Sequence, residues 1–102
     1  MIFIEDFLRE GSDKAITRKE LSRLTGFEDR KVREELARVA ETQYPVINMG
    51  VGDGYFVPTD DEAAMVYAYI RREKAKAESI MRRVAMCEKW LNDLAERLEH
   101  GC

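Results

Sequence analysis

The sequence predicts a mostly α protein with a small β-hairpin: three short helices and the hairpin over residues 1–58, then one long coiled-coil-like C-terminal helix over 59–102. Three observations carry this reading. Apolar residues recur at helical spacing in three short blocks before residue 45. Two strand-like runs then flank a segment with three glycines in five residues. From residue 59 to residue 100 there is neither glycine nor proline.

The first block, residues 2–10, has Phe3, Ile4, Phe7 and Leu8 on one side of a short helix, which Gly11, Ser12 and Asp13 end. Ala15 and Ile16 are a brief extended step. Thr17 and Glu20 have the spacing of a capping box, in which the hydroxyl takes the Glu20 amide and the carboxylate returns to Thr17. The second helix turns Leu21 and Leu24 inward and stops at Gly26, which adopts a left-handed conformation without strain. Glu28 or Asp29 starts the third helix, an acid at the positive end of its dipole. Val32, Leu36 and Val39 share its buried side, and Tyr44-Pro45 breaks it. Residues 46–49 and 55–57 read as strands, with Gly50, Gly52 and Gly54 at a hairpin tip that needs positive φ. Helix, helix, turn, helix, hairpin is the order of a winged helix-turn-helix domain.

A second capping box, Thr59 with Glu62, opens about 40 residues of uninterrupted helix, on the order of 60 Å long. Ala63, Val66, Ile70, Glu73, Ala77, Ile80, Val84, Cys87, Leu91, Leu94 and Leu98 follow a 3-4 spacing along it, with one polar break at Glu73. A domain of some 60 residues has a radius of gyration of about 10 Å, so roughly half of this helix overhangs it. The overhanging ridge needs a cover. Ile70, Ile80, Val84, Cys87, Leu91, Leu94 and Leu98 are therefore the expected homodimer contacts. Met86 and Trp90 lie off the ridge and suggest a second contact surface.

Residues 15–57, with the run T-G-F-E-D-R-K-V-R-E-E-L at 25–36, resemble small winged helix-turn-helix proteins of bacteriophages and mobile elements in Gram-positive bacteria. The shared features are a threonine-glycine turn, a D-R-x-V-R start to the recognition helix, a glycine-tyrosine wing strand and a charged C-terminal helix. The charged tail over 59–98 extends the similarity to most of the chain. The resemblance implies double-stranded DNA as partner and a role in transcriptional control, replication or excision.

With Val32, Leu36 and Val39 inward, the third helix presents Arg30 and Glu34 outward, flanked by Lys31, Arg33 and Arg38. Arg30 and Arg33 are the expected base readers, because an arginine fork matches the two acceptors of guanine. Arg18, Lys19 and Arg23 on the preceding helix suit phosphates, and Asn48 with the backbone of 50–54 at the wing suits a minor groove or a phosphate. Between residues 17 and 41 seven basic residues face six acidic ones, a net of +1. Glu34, Glu41 and a wing without cations therefore support an alternative: a protein–protein interaction module, such as a phage-encoded inhibitor or adaptor of a host nucleic-acid machine. Arg71, Arg72, Lys74, Lys76, Arg82 and Arg83 form a second basic cluster, read as a solvated face with i,i+4 pairing.

Composition narrows the rest. In 102 residues, 45% hydrophobic and 36% charged with a net charge of −3, there is no apolar run of bilayer length and no signal-peptide pattern at the start. A cytoplasmic location without membrane contact is expected. Two cysteines, Cys87 on the ridge and Cys102 at the end, make no disulfide framework, and one histidine, His100, makes no zinc site. The carboxylates are scattered along helix faces and no nucleophile has a base beside it, so no enzyme activity, cofactor, metal or small-molecule substrate is expected.

Overall fold

The computed structural model describes residues 1–50 and 54–101. Three helices carry the chain: α1 (Arg18–Thr25), α2 (Asp29–Thr42) and α3 (Ala63–His100). Short 3-10 turns stand at Ile4–Phe7, Ser12–Lys14 and Asp60–Glu62. The chain divides into two compact units, Met1–Tyr69 and Ile70–Cys102, and the first of them includes the opening turns of α3. Among the described residues no helix is long and apolar enough to cross a membrane.

In the N-terminal unit the helical spacing does what it predicts. Leu21 of α1 and Val32, Leu36 and Val39 of α2 are buried together with Ile4, Ile16 and Val46, and Leu24, Phe27 and Tyr44 pack around them. Thr17 caps α1, its hydroxyl accepting the Glu20 amide at 3.1 Å. Only half of the expected box forms, because the Glu20 carboxylate turns away and takes the Arg23 guanidinium (Nε to Oε2, 3.0 Å). Gly26 ends α1 at φ 77°, its amide bonded to the Ser22 carbonyl. The buried Thr25 hydroxyl then fixes the turn. It donates to the Leu21 carbonyl at 2.7 Å and accepts the Phe27 amide at 3.1 Å, so the three-residue connection to α2 has little freedom.

The winged fold is not seen. Among the described residues there is no strand and no sheet, only three isolated bridges: Glu10 with Val57, Ile16 with Tyr55, and Ile47 with Phe56. The two runs expected to form a hairpin do meet, but through the single pair Ile47 and Phe56, whose amides and carbonyls exchange two bonds of 3.0 Å. A ladder needs successive pairs between the same two segments. Here Tyr55, Phe56 and Val57 each bond a different one: Tyr55 exchanges bonds with Ile16, Phe56 with Ile47, and Val57 bonds Arg9 and Gly11. Part of the expected hairpin tip, at residues 51–53, lies outside the described residues. Gly50 has the positive φ expected there, 83°. Gly54 serves another need: a Cβ on it would stand 2.7 Å from the Ala15 Cβ and 3.0 Å from the Ala15 carbonyl carbon.

The expected first helix over 2–10 is also absent, reduced to the turn Ile4–Phe7. Leu8 is already extended at ψ 138°, and the Arg9 carbonyl is taken by the Val57 amide at 2.9 Å. Backbone committed to Val57 cannot also close helical bonds, and one turn alone does not meet the nucleation cost of a helix.

At Thr59 the second capping box is complete. The Thr59 amide donates to Glu62 Oε1 at 3.1 Å, and the hydroxyl takes the returning amide. The other oxygen of Glu62 accepts the Ser12 amide at 2.8 Å. Hydrogen bonds from Ser12, side chain and amide, and from Thr59 hold the Glu62 carboxyl down to about 2.

The C-terminal unit is the continuation of α3, unbroken to His100 as the absence of glycine and proline predicts. Its ridge is open. Val84 is 40% exposed, Leu91 57% and Leu98 74%, and Cys87, Met86 and Trp90 are exposed as well. Cys102 lies outside the described residues.

Candidate functional site

The first turns of α1 and α2 come together with Asn48, Gly50, Gly54 and Tyr55 around a groove of about 660 Å³. Thr17, Arg18 and Lys19 line it from the start of α1, Asp29 from the start of α2, and Asn48, Gly50 and Tyr55 from the chain after α2. The sequence brings these together by two devices. The tight Thr25–Gly26 turn folds α2 back so that Asp29 reaches α1, and the Tyr55–Ile16 bridge anchors the far wall beside Thr17. Asn48 shapes its own corner, its Oδ1 accepting the Gly50 amide at 3.0 Å.

Asp29 organises the cations at this end of the unit. One of its oxygens faces Arg18 Nε at 3.4 Å and the other Arg33 Nε at 3.2 Å. A carboxylate thus holds two guanidinium groups, from different helices, at the lip of the groove. The sequence offered the i,i+4 relation of Asp29 to Arg33, but nothing in the spacing pointed to Arg18 across the turn. Arg30 stands beside this cluster, paired along its helix with Glu34 at 3.1 Å and with 84% of its side chain exposed. The Lys31 ammonium sits 4.3 Å from the centroid of the Phe27 ring. Lys19 carries no acidic partner among the described residues.

The remaining predicted contacts fall elsewhere. Arg23 lies against Glu20 on the exposed side of α1, and that hydrogen bond raises the guanidinium and lowers the carboxyl from their ordinary values. Arg38 is drawn to the N-terminal segment. It donates to Glu35 at 3.0 Å and to Glu5 at 2.8 Å, which raises it above the usual guanidinium value, Glu35 contributing most. Gln43 donates to the other oxygen of Glu5 at 2.9 Å and is the main cause of that carboxyl's lowered pKa. Arg38 therefore clasps residues 1–10 onto α2, a role no local pattern announced because its partner is 33 positions away.

Among the described residues the polar groups around the groove are ion pairs, a helix cap and backbone amides. The arrangement offers exposed cations and the start of one helix, which is equipment for holding an anion. Among the described residues no group of three or more His, Cys, Asp or Glu side chains is placed to hold a metal ion. Set against protein-family models, curated proteins and solved structures, the chain matches none.

Proposed function

We propose that the chain binds double-stranded DNA as a regulator or as an accessory factor of replication or excision, in two copies paired along α3. The observation that carries this reading is the groove, where Arg18 and Lys19 at the start of α1 stand with Asn48, next to the exposed Arg30 and Arg33 of α2. Phosphates suit the helix start and its cations, while Arg30 and Arg33 reach past them toward base edges. The resemblance of residues 25–36 to DNA-binding proteins of phages and mobile elements supports the same partner.

The ion pairs on this face do not stand in the way. Arg30 with Glu34 and Arg33 with Asp29 are more than half exposed on both sides, and such pairs contribute about 0.2–1 kcal/mol. A guanidinium exchanges a partner held that weakly for a phosphate at little cost. Pairing along α3 is supported by the exposed ridge that includes Ile70, Val84, Leu91 and Leu98. Two copies also double the contacts available to a face whose net charge is small.

Fluorescence anisotropy with labelled duplexes, followed by selection of the retained sequences, tests the reading. Binding at low salt that is abolished in the Arg30→Ala, Arg33→Ala double variant supports it. Equal binding by that variant removes α2 as the reader. One observation favours a second reading, a protein-binding module: five of the seven basic residues between 17 and 41 already face a carboxylate. No retention of duplex even at low salt favours that alternative.

A further inference from the structure

Pairing along α3 can run in either of two directions. Resting on that proposed pairing, we infer that the two helices run parallel and in register over residues 77–98, with Arg83 of each copy facing Glu88 of the other. Val84, Leu91 and Leu98 recur every seven residues along the ridge, with Ile80 four residues before Val84 and Leu94 three after Leu91, and all but Leu94 are at least 40% exposed. A second copy of the same ridge is the surface that matches this repeat.

The rows beside the ridge set the direction. One row is Lys76, Arg83, Trp90 and Arg97, and the other is Lys74, Met81, Glu88 and Ala95. In a parallel pair each residue of the first row meets the residue five positions later in the second row of the partner. The meetings are then Lys76 with Met81, Arg83 with Glu88, and Trp90 with Ala95. None sets like charges together, and Arg83 with Glu88 occurs twice by symmetry. An antiparallel pair sets the first row against itself, three cations and no acid.

The charges in question are also uncommitted. Arg83 reaches only the Ser79 hydroxyl, at 3.1 Å, and Glu88 has no hydrogen bond or ion pair among the described residues. By contrast Glu73 and Asp93 are taken within α3, by Lys76 at 3.4 Å and Lys89 at 3.0 Å. Glu73, the polar break in the repeat, is thus neutralised by its own helix and precedes the uninterrupted stretch.

Parallel register makes facing positions close. Helices packed about 9–10 Å apart, with Cα atoms about 2.3 Å from each axis, leave facing Cα atoms about 5 Å apart, which a disulfide spans. The test uses the full chain with Cys87→Ser and Cys102→Ser, carrying either Ile80→Cys or Leu94→Cys, under mild oxidation. Each variant should cross-link to itself, and a mixture should give no 80-to-94 product, because those sites lie about 21 Å apart along one helix. Cross-links formed only in the mixture would overturn the parallel direction while leaving the pairing intact. In sedimentation, Arg83→Glu and Glu88→Arg should each weaken association about tenfold, and the double exchange should restore it. Tighter association from Arg83→Glu alone also overturns the direction. A single-copy mass for the unaltered chain at high concentration removes the pairing itself, and this inference with it.

Discussion

Lys19 gives the sharpest access to the proposed DNA contact, because it lines the groove, is exposed and has no acidic partner among the described residues. If Arg18, Lys19, Arg30 and Arg33 of each copy meet phosphates or their immediate surroundings, a pair of copies displaces counterions at about eight points. The logarithm of affinity then falls against the logarithm of salt with a slope of about −7, or about ten-thousandfold between roughly 50 and 200 mM. Lys19→Ala removes one contact per copy, so the slope should shrink to about −5.4. Arg38→Ala is the matched control. Its charge is held by Glu35 and Glu5, so the slope should stay at the parent value while the melting temperature falls slightly. Anisotropy titrations of one duplex at four salt concentrations measure all three slopes. A parent slope shallower than about −2, or equal slopes for the parent and Lys19→Ala, refutes the assignment of this groove to a polyanion.

Other expectations concern the frame around the site. Leu91→Ala removes much of a ridge side chain that is 57% exposed in one copy; covering it contributes about 1 kcal/mol per copy, so the dissociation constant of the pair should rise about thirtyfold in sedimentation. Gly54→Ala drives a methyl into the Ala15 backbone and should lower stability by about 1–3 kcal/mol in urea unfolding. Because folding lowers the Glu62 carboxyl from the ordinary 4.5 to about 2, the stability it confers is complete above the ordinary value and is lost as pH falls toward 2. Thermal melts of Glu62→Gln should accordingly show a smaller acid-side decline than the parent across that interval.

The parts legible in the sequence are those fixed by neighbours. Thr17, Gly26, the inward trio of α2 and the Thr59–Glu62 box all act within one or two helical turns, and all stand where the spacing puts them. The long helix was legible for the same reason, since nothing in its sequence interrupts it. The hairpin and the first helix were misread because their backbone groups are claimed from a distance. Val57 reaches back to Arg9 and Gly11, and no window of ten residues contains both ends of that bond. Glycine misled as well: Gly54 looked like a turn residue and is a spacer against Ala15. At the candidate site, the outward faces of Arg30 and Arg33 followed from periodicity. The partners that restrain the cations did not, because Asp29 meets Arg18 across a turn and Glu5 meets Arg38 across most of the unit.

The three consecutive residues Tyr55, Phe56 and Val57 have one more implication. Each is moored to a separate stretch of chain, and two of those moorings, Tyr55 to Ile16 and Val57 to Arg9 and Gly11, close long loops back to the N-terminal arm. No stretch can be undone alone without loosening the others through this common knot. A protease cut or a proline placed there would release the N-terminal arm, the step at Ile16 and the segment after α2 together. The N-terminal unit should accordingly come apart in one event rather than fray from its end, and the amides of Ile16, Ile47 and Phe56 should exchange with solvent at a single shared rate.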